Sequence, residues 1–339
     1  MYFSNIEIYD YLTGKNDREL FALADRIRGD VFAEDVYLRG IIEFSNYCSQ
    51  NCLYCGLRRG NREIHRYRLT MREILDCADE IVQSGITTIV LQTGEDPYYT
   101  DRNIADIINA IKSRYKIAVT LSLGERNYNT YKLWRDAGAD RYLIRMETFD
   151  RENYAKVRPG NFWEKRLICV ETLRELDYEV GSGIMIDMPG ESVESLVTAI
   201  QALTDMKLHM IGMGPFVAHS QTPLADEANG DIHLAFRTLA LVRILNPMAN
   251  MPSTSALDSV RPGARLRGLQ IGANVIMPSF TPARVKELYN IYPGKNIQTN
   301  VSEDSLQSAI NMIEKAGYNV SYSRGDSPLR NEKFKIKKK

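Results

Sequence analysis

Short apolar stretches rich in β-branched residues alternate with longer helical patterns along most of the chain. The stretches have the length of buried strands, and the longer patterns repeat apolar positions at the spacing of one helix face. Two helical patterns end at Gly85 and Gly138 just before the next stretch, which is typical of a helix C-cap. The predicted strands are residues 38–45, 86–92, 117–123, 140–146, 179–186, 209–216, 249–256 and 273–278. The predicted helices between them include residues 71–85, 102–114, 129–139, 162–177, 193–206 and 232–246.

Eight strand–helix units at intervals of roughly 25–35 residues indicate a parallel sheet with right-handed crossovers. Eight strands also close a TIM barrel, so we predict an α/β fold with a (β/α)8 barrel. An open, doubly wound sheet is the alternative, because periodicity alone does not show closure. We expect an N-terminal helical extension over residues 1–35, the barrel domain over 36–300, and a C-terminal helix with a basic tail over 301–339.

The charge of the chain is balanced, with 43 lysines and arginines against 43 aspartates and glutamates in 339 residues. Because nucleic-acid binding needs an excess of basic residues to meet phosphates, the balance argues against that class. The start, MYFSNIEIYDYL, lacks the features of a signal peptide, and no apolar run is long enough to span a bilayer. We therefore expect a cytoplasmic protein without a membrane partner. The basic end KFKIKKK, residues 333–339, is interpreted as a solvated terminus rather than a tether.

Three of the five cysteines lie together in the segment CSQNCLYCGLRRG, where Cys48, Cys52 and Cys55 have the spacing C-x3-C-x2-C. In a reducing compartment, such a group is more often a metal site than a disulfide. A structural zinc site takes four ligands, usually in two separated pairs, and no two histidines here have the matching spacing. Cys77 and Cys169 fall inside helical patterns, where buried packing is the simpler interpretation.

An iron–sulfur cube fits three thiolates better, because each of its four irons takes one external ligand. Three cysteines on one short loop hold three corners and leave the fourth iron open to a small molecule. The loop directly follows the first predicted strand and carries an aromatic residue, Tyr54, before its last cysteine. Since active sites of parallel α/β folds lie at the C-terminal ends of the strands, we predict that this loop is part of the active site.

Polar residues follow the next three predicted strands. The acidic groups of TGEDPYY, residues 93–99, can accept hydrogen bonds from an ammonium group or, more simply, begin a helix. Ser122 lies near the end of the third strand, and Arg145 and Glu147 lie at the end of the fourth. Two charges at a barrel mouth are costly unless they meet each other or a polar ligand. Arg166, in the following helix, can bind a carboxylate through two hydrogen bonds, unless it is a solvated surface residue.

With these residues, the chain resembles the radical SAM superfamily, whose most specific signature is C-x3-C-x-aromatic-C after the first strand. The resemblance implies one 4Fe–4S cluster held by the three cysteines, with S-adenosylmethionine (SAM) chelating the open iron. One electron from the reduced cluster then cleaves SAM and yields a 5′-deoxyadenosyl radical. The resemblance also implies a turn that binds the methionine amino group of SAM, formed by Gly94, Glu95, Asp96 and Pro97.

The resemblance narrows to the group that contains biotin synthase, methylornithine synthase and HydE, the maturase of FeFe hydrogenase. Among its segments, GPFVAHSQTPLA, MPSTSAL and LYNIYPGK are most similar to the HydE family. The family implies contacts with SAM from Ser122, Glu147 and Arg166. It implies a substrate cavity lined by Thr254, Ser255, Ala256, Met210, Met277, Tyr289 and Tyr292.

The HydE resemblance further implies a substrate and partners. The family is understood to act on a mononuclear iron dicarbonyl–cyanide complex held by cysteine, in assembly of the H-cluster of FeFe hydrogenase. The residues expected at this reacting substrate are Arg145, Thr254, Ser255, Met277 and Tyr292. Arg145 and the hydroxyls after the seventh strand are then the anchors for its carboxylate and cyanide. The implied partners are an electron donor such as ferredoxin or flavodoxin and, transiently, other hydrogenase maturases.

The chain departs from the HydE pattern in three places. Met146 stands where many HydE proteins have histidine, and Ser255 replaces the second threonine of a T-T-A stretch. No cysteine follows Cys169, so the auxiliary cluster of some family members is not expected. These differences leave open a HydE-like enzyme with another small substrate.

Two other functions are alternatives to a HydE-type enzyme. One is a lysine mutase like methylornithine synthase, although MPSTSAL offers hydroxyls rather than the charges that would anchor lysine. The other is a non-catalytic iron–sulfur electron carrier, whose cluster would be ligated by protein at every corner. A zinc-binding structural loop is a more distant alternative.

Overall fold

The computed structural model describes residues 2–295 and 305–330. The predicted tail at 333–339 and the predicted domain boundary near residue 300 lie outside the described residues. In the described ranges, two helices precede the first strand, strands and helices then alternate, and a final helix is followed by a short strand. The strands are β1 (Asp35–Leu38), β2 (Gly40–Ser45), β3 (Thr88–Thr93), β4 (Ala118–Ser122), β5 (Arg141–Leu143), β6 (Glu179–Ser182), β7 (Met185–Ile186), β8 (Met210–Ile211), β9 (Gly214–Pro215), β10 (Val275–Ile276) and β11 (Asn319–Ser321).

The strands of the main sheet pair in parallel, in the order β2-β3-β4-β5-β6-β8. A second sheet, β10-β1-β11, continues into the first because only Arg39 separates β1 from β2. The remaining gap is crossed by single parallel bridges, Met210↔Asn250, Pro252↔Val275 and Ile41↔Ser279. The pairing therefore passes through all eight predicted strand positions, although the seventh, residues 249–256, pairs only through isolated bridges.

The six helices with predicted bounds begin and end within about three residues of those bounds. At the start of α3, Thr70 and Glu73 form a capping box, in which each side chain accepts the other residue's backbone N–H. Gly85 and Gly138 follow α3 and α5 with φ of 86° and 108°, which confirms them as C-cap glycines. The helices are α1 (Asn5–Leu12), α2 (Asp17–Phe32), α3 (Met71–Gln83), α4 (Asp101–Arg114), α5 (Tyr128–Asp136), α6 (Arg151–Val157), α7 (Trp163–Glu175), α8 (Val193–Asp205), α9 (Ile232–Leu245), α10 (Ser255–Val260), α11 (Ala264–Gln270), α12 (Ala283–Lys286) and α13 (Ser305–Lys315).

The core lies between the strands and the ring of helices, each of which buries its apolar face. Burial of one large aliphatic side chain contributes about 1.5–3 kcal/mol, so this layer supplies most of the driving force for folding. The preceding helices α1 and α2 pack against α8 and α9. Cys77 and Cys169 are buried in α3 and α7, which confirms their predicted packing role. Within the described ranges, no helix combines the length and the apolar character needed to cross a membrane.

The strand β11 is an element that the sequence pattern did not indicate. It pairs with β1 at the end of the barrel opposite the cysteine loop, and the residues after it bind the buried polar groups there. Arg141, which forms a buried ion pair of 2.8 Å with Glu179, also contacts Asp326. Arg324 binds Asp140 at 2.7 Å. The segment after α13 therefore covers charges that would otherwise be costly to bury.

Glu191, in the loop after β7, gives the fold a pH dependence. One carboxylate oxygen accepts the backbone N–H of Asp187 at 2.8 Å, the other has no partner among the described residues, and burial raises its pKa from 4.5 to about 7. Between these values the folded state binds more protons than the unfolded state, so this group makes stability fall as pH rises. The free energy of unfolding of Glu191→Gln, taken relative to that of wild type, should therefore increase by roughly 1–3 kcal/mol from pH 4.5 to pH 8. Anaerobic urea unfolding at the two pH values measures this change.

The matched control is Glu171→Gln on the exposed side of α7. Its stability relative to wild type should stay within about 0.5 kcal/mol across the same pH range. An equal pH response of the two variants would contradict the role assigned to Glu191.

Candidate active site

A cavity of about 680 Å³ opens where the strands of the barrel end. Its volume is in the range of about 300–1,000 Å³ that small-molecule and cofactor sites occupy. Residues that follow β3, β4 and β5 form one part of the wall, and residues from the segments after position 250 form another. The thiol residues Cys48, Cys52 and Cys55 all line this cavity.

The cysteine loop is held in place by backbone hydrogen bonds on several sides. Cys48 Sγ accepts the backbone N–H groups of Gln50 at 3.4 Å and of Glu95 at 3.3 Å. The N–H of Leu53 binds the carbonyl of Val157 at the end of α6, at 2.8 Å. The loop is therefore fixed both to the turn after β3 and to α6 before any ligand binds.

The donor set and its surroundings fit an iron–sulfur cluster. Backbone N–H groups aimed at a sulfur atom stabilise a thiolate and tune cluster potentials. Burial raises the pKa of the Cys48 and Cys55 thiols, so iron has to displace their protons. In the part of the chain that the structure describes, no three His, Cys, Asp or Glu side chains surround a single-ion position. A cube suits this spacing, because its irons occupy separate corners.

Glycines allow the turn after β3 to approach both neighbouring loops. A Cβ on Gly94 would lie 2.3 Å from the carbonyl oxygen of Tyr47 and 2.8 Å from the Cβ of Cys48. A Cβ on Gly124, which has φ of 78°, would lie 2.1 Å from the Cγ of Glu95. No other residue fits at either position without moving backbone or the Glu95 side chain.

Of the predicted turn 94–97, only the first two residues line the cavity. Glu95 lies at its wall, where its carboxylate accepts a bond of 2.7 Å from the Gln50 amide and lies 3.7 Å from the Arg166 guanidinium. Asp96 and Pro97 are not among the lining residues, and Pro97 is exposed. The expectation that they contact a ligand is therefore corrected.

The Asp96 carboxylate instead binds residues that lie outside the cavity wall. Its carboxylate accepts two bonds from Arg68, at 2.7 and 2.9 Å, and one from Ser45 at 2.6 Å. Burial opposes its ionisation, but these bonds hold the pKa of Asp96 below its ordinary value. The sequence could not show which of the two carboxylates, Glu95 or Asp96, faces the cavity, because a turn lacks the regular alternation of side-chain direction that a strand has.

Arg145 and Glu147 both line the cavity and form an ion pair of 3.1 Å. Glu147 has φ of 71°, which is unfavourable for a residue with a side chain. Backbone bonds hold it there, since its N–H binds the carbonyl of Gly183 at 3.1 Å and its carbonyl accepts the N–H of Met185 at 2.8 Å. Strain of this kind, of about 1–3 kcal/mol, is typical of functional positions. Arg145 and Glu147 therefore contact each other and also line the cavity, so the two predicted arrangements occur together.

Arg166 is buried and links two carboxylates across the cavity wall. Its Nε donates to the Glu125 carboxylate at 3.0 Å, and its Nη2 lies 3.7 Å from the Glu95 carboxylate. Its Nη1 donates to the backbone carbonyl of Arg145 at 2.6 Å. The alternative of a solvated surface arginine is therefore wrong. Ser122, at the end of β4, lies on the same wall.

The other part of the cavity wall carries hydroxyls and a thioether. Ser255 Oγ and the Tyr292 hydroxyl lie 2.8 Å apart in a hydrogen bond, and Thr254 Oγ1 donates to the carbonyl of Met213 at 3.0 Å. These three hydroxyl residues line the cavity together with Ala256 and Met277.

Two residues expected on this wall lie elsewhere. Met210 is buried in β8, where its sulfur contacts Arg39, and Tyr289 is buried with its hydroxyl 3.1 Å from the Gln92 amide. Neither is among the lining residues. Both residues lie in apolar stretches of sequence. Whether such a side chain points into the cavity or away from it depends on the local register and not on the residue type.

Two arginines of the wall were missed by the sequence analysis. Arg158, almost fully buried, donates to the Tyr54 hydroxyl at 3.0 Å, and its Nε and Nη2 have no hydrogen-bond partner among the described residues. Arg265 lines the cavity near the hydroxyls, and its Nε binds the carbonyl of Ser253 at 3.1 Å. Burial lowers the pKa of Arg265. Nothing in the sequence around either residue separates them from solvated arginines.

Comparison with known proteins identifies related chains. A family model described as the radical SAM superfamily matches residues 42–203. The FeFe hydrogenase maturase subunit HydE of Thermotoga maritima is 47% identical over 306 residues, which are 89% of this chain and 88% of that protein. The 3-methylornithine synthase of Methanosarcina barkeri is 27% identical over 265 residues, 78% of this chain and 75% of that protein. A biotin synthase of Magnetococcus marinus is 26% identical over 311 residues, 89% of both.

Solved structures share the architecture. Methylornithine synthase (PylB) superposes with a TM-score of 0.82 at 24% identity over 95% of both chains. A structure of HydG, a maturase of FeFe hydrogenase, superposes with a TM-score of 0.80 at 19% identity, covering 98% of this chain and 77% of that one. These likenesses confirm the predicted fold class, an α/β barrel fold of radical SAM type.

Proposed function

Because the chain belongs to the radical SAM superfamily and, within it, to the HydE family, we propose that it is a HydE-type maturase. Membership makes it a radical SAM enzyme and implies a 4Fe–4S cluster and SAM. We further propose that Cys48, Cys52 and Cys55 are the cluster ligands. The substrate in this proposal is a small iron dicarbonyl–cyanide complex held by cysteine, in assembly of the FeFe hydrogenase H-cluster.

The observation that carries the proposal is the juxtaposition of two chemistries in one cavity. Three thiols that fit a cluster and the four hydroxyl or thioether residues Thr254, Ser255, Met277 and Tyr292 line the same space. When bound, the reduced cluster supplies the electron that cleaves SAM to methionine and a 5′-deoxyadenosyl radical. A walled cavity keeps water and other reactants away from so reactive a species.

The residues around the thiols match the groups of SAM. The Glu95 carboxylate, at the wall beside Cys48, accepts hydrogen bonds of the kind that an ammonium group donates. Glu147 and Ser122 can accept bonds from ribose hydroxyls. Arg166, fixed by Glu125 and Glu95, offers a positive charge to the carboxylate of SAM. In this role the ion pairs orient the guanidinium before SAM arrives and so reduce the entropic cost of binding.

The hydroxyl wall matches the cysteine complex. A cysteine ligand carries a carboxylate, for which Arg145 and the hydroxyls of Thr254, Ser255 and Tyr292 are the proposed anchors. The Ser255–Tyr292 hydrogen bond fixes the direction of both hydroxyls, so less order has to be imposed on binding. Met277 adds a polarizable, apolar contact suited to carbonyl ligands on iron.

The lysine mutase is the second candidate, favoured by the likeness to 3-methylornithine synthase, but its sequence identity is 27% against 47% for HydE. The electron-carrier alternative is set aside, because the chain belongs to a superfamily of enzymes. The proposed partners are a ferredoxin or flavodoxin and other hydrogenase maturases, and the proposed compartment is the reducing cytoplasm.

The test is anaerobic incubation of reconstituted protein with SAM and dithionite, either with the cysteine-bound iron complex or with lysine. Production of 5′-deoxyadenosine and the fate of each substrate are followed by mass spectrometry. We expect the iron complex to accelerate 5′-deoxyadenosine formation over the substrate-free control and to be consumed with it. Turnover of lysine to a rearranged amino acid, with the iron complex unchanged, would overturn the HydE-type assignment.

A further inference from the structure

The segment that follows the cysteine loop is unusually basic for a chain without net charge. Residues 58–68, RRGNREIHRYR, hold five arginines and a single acidic residue, Glu63. A local excess of one charge in a balanced protein indicates attraction of an oppositely charged partner, unless the charges are simply solvated. The position of this segment in the fold distinguishes these two interpretations.

Backbone hydrogen bonds join the basic segment directly to the cysteine loop. The N–H of Arg58 binds the carbonyl of Cys55 at 3.0 Å, and the N–H of Arg59 binds the carbonyl of Gln50 at 2.7 Å. Arg66 ties the two together, because its guanidinium donates to backbone carbonyls that include those of Leu57 at 2.9 Å and Asn61 at 3.1 Å. Within residues 48–67, no helix or strand lies between the cysteines and these arginines.

Two of the five arginines point into solvent without a partner. Arg59 and Arg62 are exposed, and neither guanidinium forms an ion pair or hydrogen bond with any residue that the structure describes. Arg59 and Arg62 therefore present uncompensated positive charge next to the cysteine loop.

An exposed aromatic residue packs on another arginine of the same basic segment, Arg68. Tyr98 is 63% exposed, and the Arg68 guanidinium lies 4.5 Å from the centre of its ring and 3.6 Å from that of Tyr47. Tyr47 immediately precedes Cys48, so the stack leads from the surface to a thiol residue. Arginine and tyrosine are enriched at protein–protein interfaces, where a large contact area has to be formed by few residues.

We propose that Arg59, Arg62, Arg68 and Tyr98 form a docking face for an acidic one-electron carrier protein. This inference rests on the proposed function, because it requires a cluster on the adjacent thiols. Electron transfer falls steeply with distance, so the surface nearest the thiols is where a donor has to bind. One electron leaves the carrier, which is oxidised, and enters the cluster, which is reduced; no covalent bond to this chain forms or breaks.

Nucleic acid is the other ligand that an arginine-rich face attracts. It is disfavoured, because the chain as a whole has no net positive charge with which to meet a run of phosphates. A redox partner suits the site better, since transient electron-transfer contacts are small and are guided mainly by charge.

The test measures reduction of the cluster by a purified acidic flavodoxin that has itself been reduced chemically. SAM is omitted, and loss of the visible absorbance of the cluster is followed in a stopped-flow instrument. We expect Arg59→Glu/Arg62→Glu to lower the second-order rate constant by roughly tenfold or more at low salt, and the wild-type rate to fall as salt rises. Reduction of the same variant by dithionite, a small molecule that needs no docking face, should proceed at the wild-type rate.

The matched control is Arg18→Glu/Arg26→Glu, which makes the same charge change at two exposed positions on α2 that form no ion pair with any residue of the described ranges. It should leave the flavodoxin rate within about twofold of wild type. If the Glu variant does not hold a cluster, Arg59→Gln/Arg62→Gln carries the same test with a smaller perturbation.

Equal flavodoxin rates for the docking-face and control variants would overturn the proposal. So would binding of an RNA duplex that depends on Arg59 and Arg62 while flavodoxin reduction does not. Failure of the proposed function has a different signature, since dithionite-reduced wild type would then leave SAM uncleaved whatever the flavodoxin rate.

Discussion

Replacement of Cys52 by alanine is expected to reduce SAM cleavage by roughly a thousandfold or more, because a direct cluster ligand is lost. Loss of an outer-shell partner of a metal site already costs about 10–100-fold, and Cys52 would supply a direct ligand. With only Cys48 and Cys55 remaining, a second iron lacks a thiolate, and the cluster is expected to be lost or incomplete. Iron and sulfide content of the anaerobically reconstituted variant, and 5′-deoxyadenosine formed with dithionite, measure the two effects separately.

Cys77→Ala is the control for this substitution. Cys77 is buried in α3 and does not line the cavity, so its loss removes a small apolar side chain without touching the site. We expect the control to keep the wild-type iron content and rate of SAM cleavage. Cleavage by Cys52→Ala at a rate similar to that of Cys77→Ala would mean that the three-cysteine loop is not the cluster site.

The second large effect is expected from Gly94→Ala. The added methyl group would lie 2.3 Å from the Tyr47 carbonyl and 2.8 Å from the Cβ of Cys48, and neither belongs to a flexible side chain that could move away. The turn that carries Glu95 has to separate from the cysteine loop, which removes the N–H bond from Glu95 to Cys48 Sγ. We expect SAM affinity to fall by roughly tenfold to a hundredfold, measured by equilibrium binding to the reconstituted protein.

Gly29→Ala provides the comparison for Gly94. Gly29 lies in α2, and a Cβ there would meet no atom within 4 Å. The change should leave SAM affinity unaltered and raise stability by about 0.5–1 kcal/mol, because alanine favours a helix over glycine. Equal SAM affinity of the Gly94 and Gly29 variants would show that close approach of the two loops is not needed for binding.

Strand positions and helix placement could be predicted from the sequence, because they follow from periodic burial. Every predicted strand position takes part in the parallel pairing, and Gly85 and Gly138 have the predicted backbone conformation. Periodicity did not show β11, which is three residues long and half-exposed. A short strand that pairs at the end of a barrel carries too few buried positions to produce a pattern.

Site residues could be predicted at places where the position along a strand determines the direction of the side chain. Residues at the ends of β3, β4 and β5, among them Glu95, Ser122 and Glu147, line the cavity as expected. Asp96 and Met210 do not, because one residue of register turns a side chain from the cavity toward the protein interior. Arg158 was missed for a related reason, since its burial depends on how the loop after α6 folds back toward Tyr54.

The central claim is that a cluster held at three corners by this loop offers its fourth iron to SAM. The most direct measurement is electron–nuclear double resonance of the reduced cluster, with SAM carrying magnetic isotopes at its amino nitrogen and carboxylate. Direct coordination of SAM to the open iron predicts hyperfine coupling from both labels and a changed spectrum relative to the SAM-free protein. A spectrum unaltered by SAM and free of either coupling would contradict it.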